Sequence, residues 1–99
     1  MLRNIKLWVL AVELARDSMW EEAEKCAAEA ARSEAHGWPP RLRMIGSIHA
    51  GTLHHLRADA PAFRREAERC IALCEEAGAL RAAAWQRHNI AEAALMAGQ

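Results

Sequence analysis

The block Glu22-Ala23-Glu24-Lys25-Cys26 returns as Glu66-Ala67-Glu68-Arg69-Cys70, an offset of 44 residues (66 less 22). Each copy stands in a segment dense in Ala, Glu and Arg. Each segment runs out in a Glu-Ala stretch closed by glycine: Glu34-Ala35-His36-Gly37 in one, Glu75-Glu76-Ala77-Gly78 in the other. Self-similarity at such a spacing marks a helical-repeat array, in which each unit buries its apolar face against the next. Arrays of this kind stack into a surface that holds something else.

The composition agrees. Apolar residues make up 53% of 99 residues, enough for one domain with a modest core and too many for a disordered chain. Much of that share is alanine, which favours close helix packing over a thick aromatic core. Thirteen basic and thirteen acidic residues cancel. Near neutrality removes the electrostatic footprint of a dedicated nucleic-acid binder and gives no protection against self-association. Three cysteines cannot all pair within one chain. An odd count in a helical sequence fits free thiols in a reducing compartment, so a cytoplasmic location is expected. The one apolar run near the start, Leu7 to Ala15, is interrupted by Glu13 and is too short to span a bilayer, so it reads as a buried helix.

Break signals divide the chain into five helices with no strand pattern. The first runs from about Leu2 to Asp17 and is apolar on two faces, with Leu7, Leu10, Ala11 and Leu14 on one and Ile5, Trp8, Val9 and Val12 on the other. Ser18-Met19-Trp20-Glu21 has the form of a capping box and opens the second helix from Ser18. His36-Gly37-Trp38-Pro39-Pro40 ends it, with Gly37 in the left-handed cap position and Pro40 in the first turn of the next helix. The third helix spans about Pro40 to Ala58. Asp59 caps the fourth, with Pro61 in its first turn, and Gly78 ends it after Ala77. The fifth runs from about Leu80 to Ala97. Short connections make neighbouring helices antiparallel.

These features resemble the tetratricopeptide repeat, whose unit is two antiparallel helices. Leu7, Leu10, Ala11 and Leu14 have the spacing of that family's first-helix core. Trp20 stands at the aromatic position before the second helix, and Ala23, Ala27 and Ala30 match its small positions. Ala50, Gly51, Ala67, Ile71 and Cys74 fall at similar places in the second unit. Asn89-Ile90-Ala91 with Gly98 looks like the opening of a third. Cys74 to Gln99 is similar to repeats in large bacterial transcriptional regulators. The offset of 44 exceeds the family's usual 34, and the usual proline at the end of the second helix is missing from both units. HEAT-like or irregular helical repeats are the alternatives. The resemblance implies a single all-α domain over residues 1–99, a right-handed superhelix of two helix pairs (about 2–37 and 39–78) plus a fifth single helix (80–98).

Carried over position by position, the resemblance puts a concave groove on the odd-numbered helices, lined by Ile5, Trp8, Val12, Ile45, Ile48, His49, Thr52, His55, Trp85, His88, Asn89 and Glu92. Large aromatics in a groove are binding anchors, and Trp8 and Trp85 have that role or pack between units. Trp20 is expected to pack inside its unit and Trp38 to plug the connector. Only Asn89 matches the polar set with which the family captures a peptide carboxylate, so an apolar peptide, helix or partner subunit is the expected occupant. A small ligand held by His49 and His88 in the same groove, as in a sensor domain of a regulator, is the alternative.

No catalytic pattern stands out. Ser18, Ser33, Ser47 and Thr52 are in no nucleophile turn, and Glu21, Glu22, Glu24, Glu75 and Glu76 read as caps and solvated charge. Cys70 and Cys74 share a helix face but lack the second pair of a zinc site. Among His36, His49, His54, His55 and His88, no two are spaced four apart on a helix. The expectation is therefore no enzyme, no metal and no cofactor. Arg41, Arg43, Arg64 and Arg65 are too few and too balanced for a nucleic-acid surface, and no membrane partner is expected. The fifth helix carries Trp85, Ile90, Leu95 and Met96 with a weak polar cap, and the first is apolar on two sides. Both point to a homodimer through helix five or helix one, or to a longer array.

Overall fold

The computed structural model describes residues 2–35, 37–96 and 98. Five helices follow in order: α1 Leu2–Arg16, α2 Trp20–Ser33, α3 Pro40–Leu56, α4 Ala60–Glu76 and α5 Leu80–Met96. Among the described residues there is no strand, and the fold is all-α. The expected helix ends at His36 and Ala97 lie outside the described residues.

Three of the four connections are the same turn. Residues 17–19, 57–59 and 77–79 each link two helices, and the middle residue of each is left-handed: Ser18 at φ 61°, Ala58 at φ 57° and Gly78 at φ 73°. The third residue of each turn donates its N–H five residues back, Met19 to Leu14 at 2.8 Å, Asp59 to His54 at 3.0 Å and Ala79 to Cys74 at 2.8 Å. This is the Schellman closure, which satisfies carbonyls left over at the helix end. Each such turn reverses the chain and sets the next helix antiparallel.

Two expected caps are therefore corrected. Ser18 does not cap α2, because the turn takes it into the left-handed region. Met19 occupies the cap position, and no side chain accepts a hydrogen bond there. The end of α2 does not fall at Gly37. That helix stops at Ser33, and Glu34 leaves it in an extended conformation. The cap at Asp59 does form, accepting from the Ala62 N–H at 3.1 Å, and Pro40 and Pro61 open α3 and α4.

Helix α1 packs along α2 and also against α3. Trp8, Ala11, Val12 and Ala15 of α1 form one core with Ala23 and Ala30 of α2 and Leu53 of α3. The buried positions recur at three- and four-residue steps, the period of one helix face. Most are alanine, so the axes lie close. Asn4, also buried, closes the far end of this hairpin by donating to the Ala30 carbonyl at 2.6 Å and to Ser33 Oγ at 2.8 Å. A second core joins Met44 of α3, Cys70, Leu73 and Cys74 of α4, and Ala83 of α5. A polar link crosses between the hairpins: Arg69 of α4 pairs with Glu34 at 2.8 Å and Glu66 at 3.3 Å.

The repeated block lies on α2 and α4, but not at the same depth. Glu22 follows the left-handed Ser18 by four residues, whereas Glu66 follows Ala58 by eight. The second copy is thus one helical turn further along. A shift of four residues keeps a helix face, so Ala23 and Ala67 are both buried.

Helix α5 breaks the pattern. It packs along α4, yet it makes no close backbone approach to α3, unlike α1. The gap between α3 and α5 sets up the site.

Candidate functional site

The gap is a cleft of about 450 Å³ with α4 as its floor and α3 and α5 as its walls. Its lining follows helix periodicity on all three sides. Ile48, Gly51, Thr52 and His55 come from α3; Phe63, Ala67 and Cys70 from α4; Trp85, Asn89, Glu92 and Met96 from α5. Ser47, Gln86 and Ala93 complete it. Steps of three, four and seven keep each row on one face of its helix.

The interior is mostly apolar. Gly51 and Ala67 keep two of its sides low, and a Cβ added at Gly51 would have no neighbour within 4 Å. Trp85 stands on the α5 wall with 63% of its surface exposed. Its indole stacks on His88 at 5.5 Å between centroids, and His88 Nε2 lies 3.2 Å from Glu92 Oε2. These three residues brace one another along α5. On the opposite wall the ring of His55 lies 5.7 Å from that of Phe63. The Thr52 hydroxyl donates to the Ile48 carbonyl at 3.1 Å, so its proton is committed within the helix.

Electrostatics are weak. The lining has one carboxylate, Glu92, and no Lys or Arg. Burial, reinforced by Cys74 at 4.0 Å between sulfurs, pushes the Cys70 thiol up to about 12. Burial therefore holds Cys70 in its thiol form, the less reactive one. Its neighbour Ser47 donates to Glu66 Oε2 at 2.8 Å. Among the described residues, no three His, Cys, Asp or Glu side chains gather where they could hold one metal ion.

Of the twelve residues expected in the groove, six line this cleft: Ile48, Thr52, His55, Trp85, Asn89 and Glu92. Trp8 and Val12 do not, because both are buried in the α1–α2 core. Ile5, Ile45 and His49 are half-buried outside the cleft, and the His49 ring Nδ1 lies 2.8 Å from the Ile45 carbonyl. His88 is exposed behind Trp85. His49 and His88 therefore do not converge on one ligand. The floor residues Phe63, Ala67 and Cys70 were not expected, because only odd-numbered helices were assigned to the groove. The spacing of the chain's one Phe from Ala67 and Cys70, four and seven residues, was the available signal.

A smaller hollow of about 260 Å³ lies between α2 and α3. There the Arg57 guanidinium sits 4.4 Å over the Trp20 ring and pairs with Glu24. Trp20 is thus held across the hairpins as well as within its own. Trp38 is half-buried in the connector. Among the described residues, no helix is long and apolar enough to cross a membrane.

Comparison with protein-family models, with curated proteins and with solved structures gives no match for this chain.

Proposed function

We propose that this chain is a non-catalytic binding module whose α3–α4–α5 cleft receives a row of apolar side chains from a peptide, helix or partner subunit. The observation that carries this reading is the exposed Trp85 on the wall of a cleft lined at helical spacing on three sides. Helix-in-groove recognition uses anchors at i, i+3, i+4 and i+7, the same rhythm as these walls. A large aromatic beside an apolar trough is a typical anchor. On this reading the hairpins are tetratricopeptide-like units working in a reducing cytoplasm, and α5 is displaced from the family's arrangement so that α4 becomes part of the binding surface.

The cleft volume also lies in the range of small-molecule pockets, roughly 300–1,000 Å³. That favours, as a second reading, a sensor domain of a regulator. The separation of His49 from His88 and the weak polarity of the lining count against it.

Selection of random peptides on the purified chain, followed by nitrogen-15 NMR titration, tests the first reading. Selected peptides should carry apolar residues at helical spacing and shift the amides of Gly51, Ala67 and Asn89. Gly51→Leu fills the cleft where there is open space and should abolish binding with the fold intact. Peptides that bind Gly51→Leu and Trp85→Ala as well as the parent would overturn the reading.

A further inference from the structure

The two thiols of α4 are a reactive pair that the binding row does not use. Cys70 and Cys74 stand one helical turn apart, with their sulfurs 4.0 Å from each other. Both are buried, at 1% and 0% exposure. Met44, Leu73 and Ala83 close the core around them. Cys70, on the cleft floor, is the member of the pair that borders open space.

The helix decides what this pair can do. Cβ atoms four residues apart on a helix are separated by about 5–6 Å. A disulfide needs about 3.5–4.5 Å between Cβ atoms and about 2.0 Å between sulfurs. Helix α4 runs unbroken from Ala60 to Glu76, so closing that bond would distort a turn in the middle of the second core. A single atom bonded to both sulfurs spans the gap instead of closing it. Zinc is a poor choice, because a structural zinc takes four ligands. Among the described residues, no third His, Cys, Asp or Glu joins the two thiols.

The surroundings set the charge that the bridge can carry. Burial pushes the Cys70 thiol up to about 12, so this core opposes a pair of thiolates. Trivalent arsenic avoids them. An arsonous acid carries one organic group and two hydroxyls on arsenic. When it condenses with two thiols, both S–H bonds and both As–OH bonds break. Two As–S bonds form, and each thiol proton leaves with a hydroxyl as water. No electron is transferred and the bridged product is neutral. The organic group remains on arsenic, and the cleft of about 450 Å³ beside Cys70 has room for it.

We infer that Cys70 and Cys74 form a dithiol site for trivalent arsenicals, bridged by arsenic across one turn of α4 with the organic group lodged in the α3–α4–α5 cleft. The second As–S bond forms within the chain, at the high effective concentration of a fixed pair. Cys26, half-buried but single, makes only one such bond and yields it to any free monothiol. Loading waits on the opening that uncovers the pair, and the native helix then holds the bridge. The inference is independent of the peptide reading, since the site needs no peptide.

Phenylarsonous acid, the hydrated form of phenylarsine oxide, is the probe. Native mass spectrometry should show one phenylarsenic group per chain in place of two thiol hydrogens. The adduct should survive an excess of mercaptoethanol and be removed by an excess of ethanedithiol. Cys26→Ser should bind like the parent. Cys70→Ala should bind about 100-fold more weakly, the loss expected when a linked second contact is removed, and Cys74→Ala repeats the test should Cys70→Ala not fold. The urea midpoint of Cys26→Ser should rise with probe concentration, because a ligand that fits the native helix stabilises it. A midpoint that falls with added probe would place the binding in the unfolded chain and overturn the inference. So would an adduct that mercaptoethanol strips from Cys26→Ser, or one that resists it in Cys70→Ala.

Discussion

Gly46 of α3 lies directly against the indole of Trp8 of α1: a Cβ built on Gly46 would stand 3.0 Å from Trp8 Nε1 and 3.4 Å from Glu34 Oε1. The missing side chain is what lets the two hairpins close on each other. Gly51, five residues along the same helix, has no neighbour within 4 Å of its would-be Cβ. The two glycines therefore respond oppositely to substitution.

Gly46→Leu should destabilise the fold by about 1–3 kcal/mol, the usual cost of overpacking. Gly51→Ala should stabilise it by about 0.5–1 kcal/mol, because alanine is the better residue in a helix interior and nothing obstructs it. Urea midpoints measured side by side check both. Equal shifts in the same direction would contradict the close contact at Gly46.

The three left-handed turns give a second matched pair. Ala58 holds a conformation that costs an ordinary residue about 1–2 kcal/mol, at the position where the third turn has glycine. Ala58→Gly should raise stability by about 0.5–1 kcal/mol after the added flexibility of the unfolded chain is set against the relieved strain. Gly78→Ala should lower it by a similar amount. Thermal unfolding of the two variants should move in opposite directions from the parent.

Much of the fold was legible because helix breaks have strong local chemistry. The prolines at 39, 40 and 61, Gly78 and the Asp59 cap each mark a boundary that the structure keeps. Ser18 misled because a serine three residues before a glutamate reads as a cap, while the closed turn requires its backbone to be left-handed. Nothing in an alanine announces the same conformation at Ala58. The site was half legible. Six of the residues that the resemblance puts in a groove line the cleft from α3 and α5, but the separation of α5 from α3 depends on packing along the whole of α4. That separation makes Phe63 and the buried Ala67 and Cys70 the floor of the cleft, and their four- and seven-residue spacing puts them on one face without saying that the face borders a groove. Trp8 was read as a candidate anchor, yet the close approach at Gly46 leaves it inside the core.

Asn4 is a buried polar residue whose amide has two partners, the Ala30 carbonyl and Ser33 Oγ. Asn4→Ala removes both bonds and leaves a space beside the end of α2. A loss of about 1–3 kcal/mol is expected, from two hydrogen bonds at about 0.5–1.5 kcal/mol each; the Ala30 carbonyl keeps the Ser33 hydroxyl as a donor. Amide exchange should accelerate first in the last turn of α2. Uniform acceleration across all five helices would show instead that Asn4 supports the whole fold.

The cysteines separate by reactivity. Cys26 is half-buried, whereas Cys70 and Cys74 are buried with their sulfurs 4.0 Å apart. Burial favours the protonated form, and the Cys70 thiol is held up at about 12, against an ordinary 9.0. At pH 8 a disulfide reagent should therefore modify Cys26 quickly and reach the other two only as fast as the chain opens, since the thiolate is the attacking species. The same shift sets a sign for stability. Because the folded value is raised, its contribution is fully present below pH 9 and is lost as the pH rises through the folded value near 12, where the unfolded thiol has already ionised. The midpoint of urea unfolding should accordingly fall between pH 9 and pH 11, and Cys70→Ala should flatten part of that slope. Three thiols reacting at one rate in the native chain would show that α4 does not enclose Cys70 and Cys74.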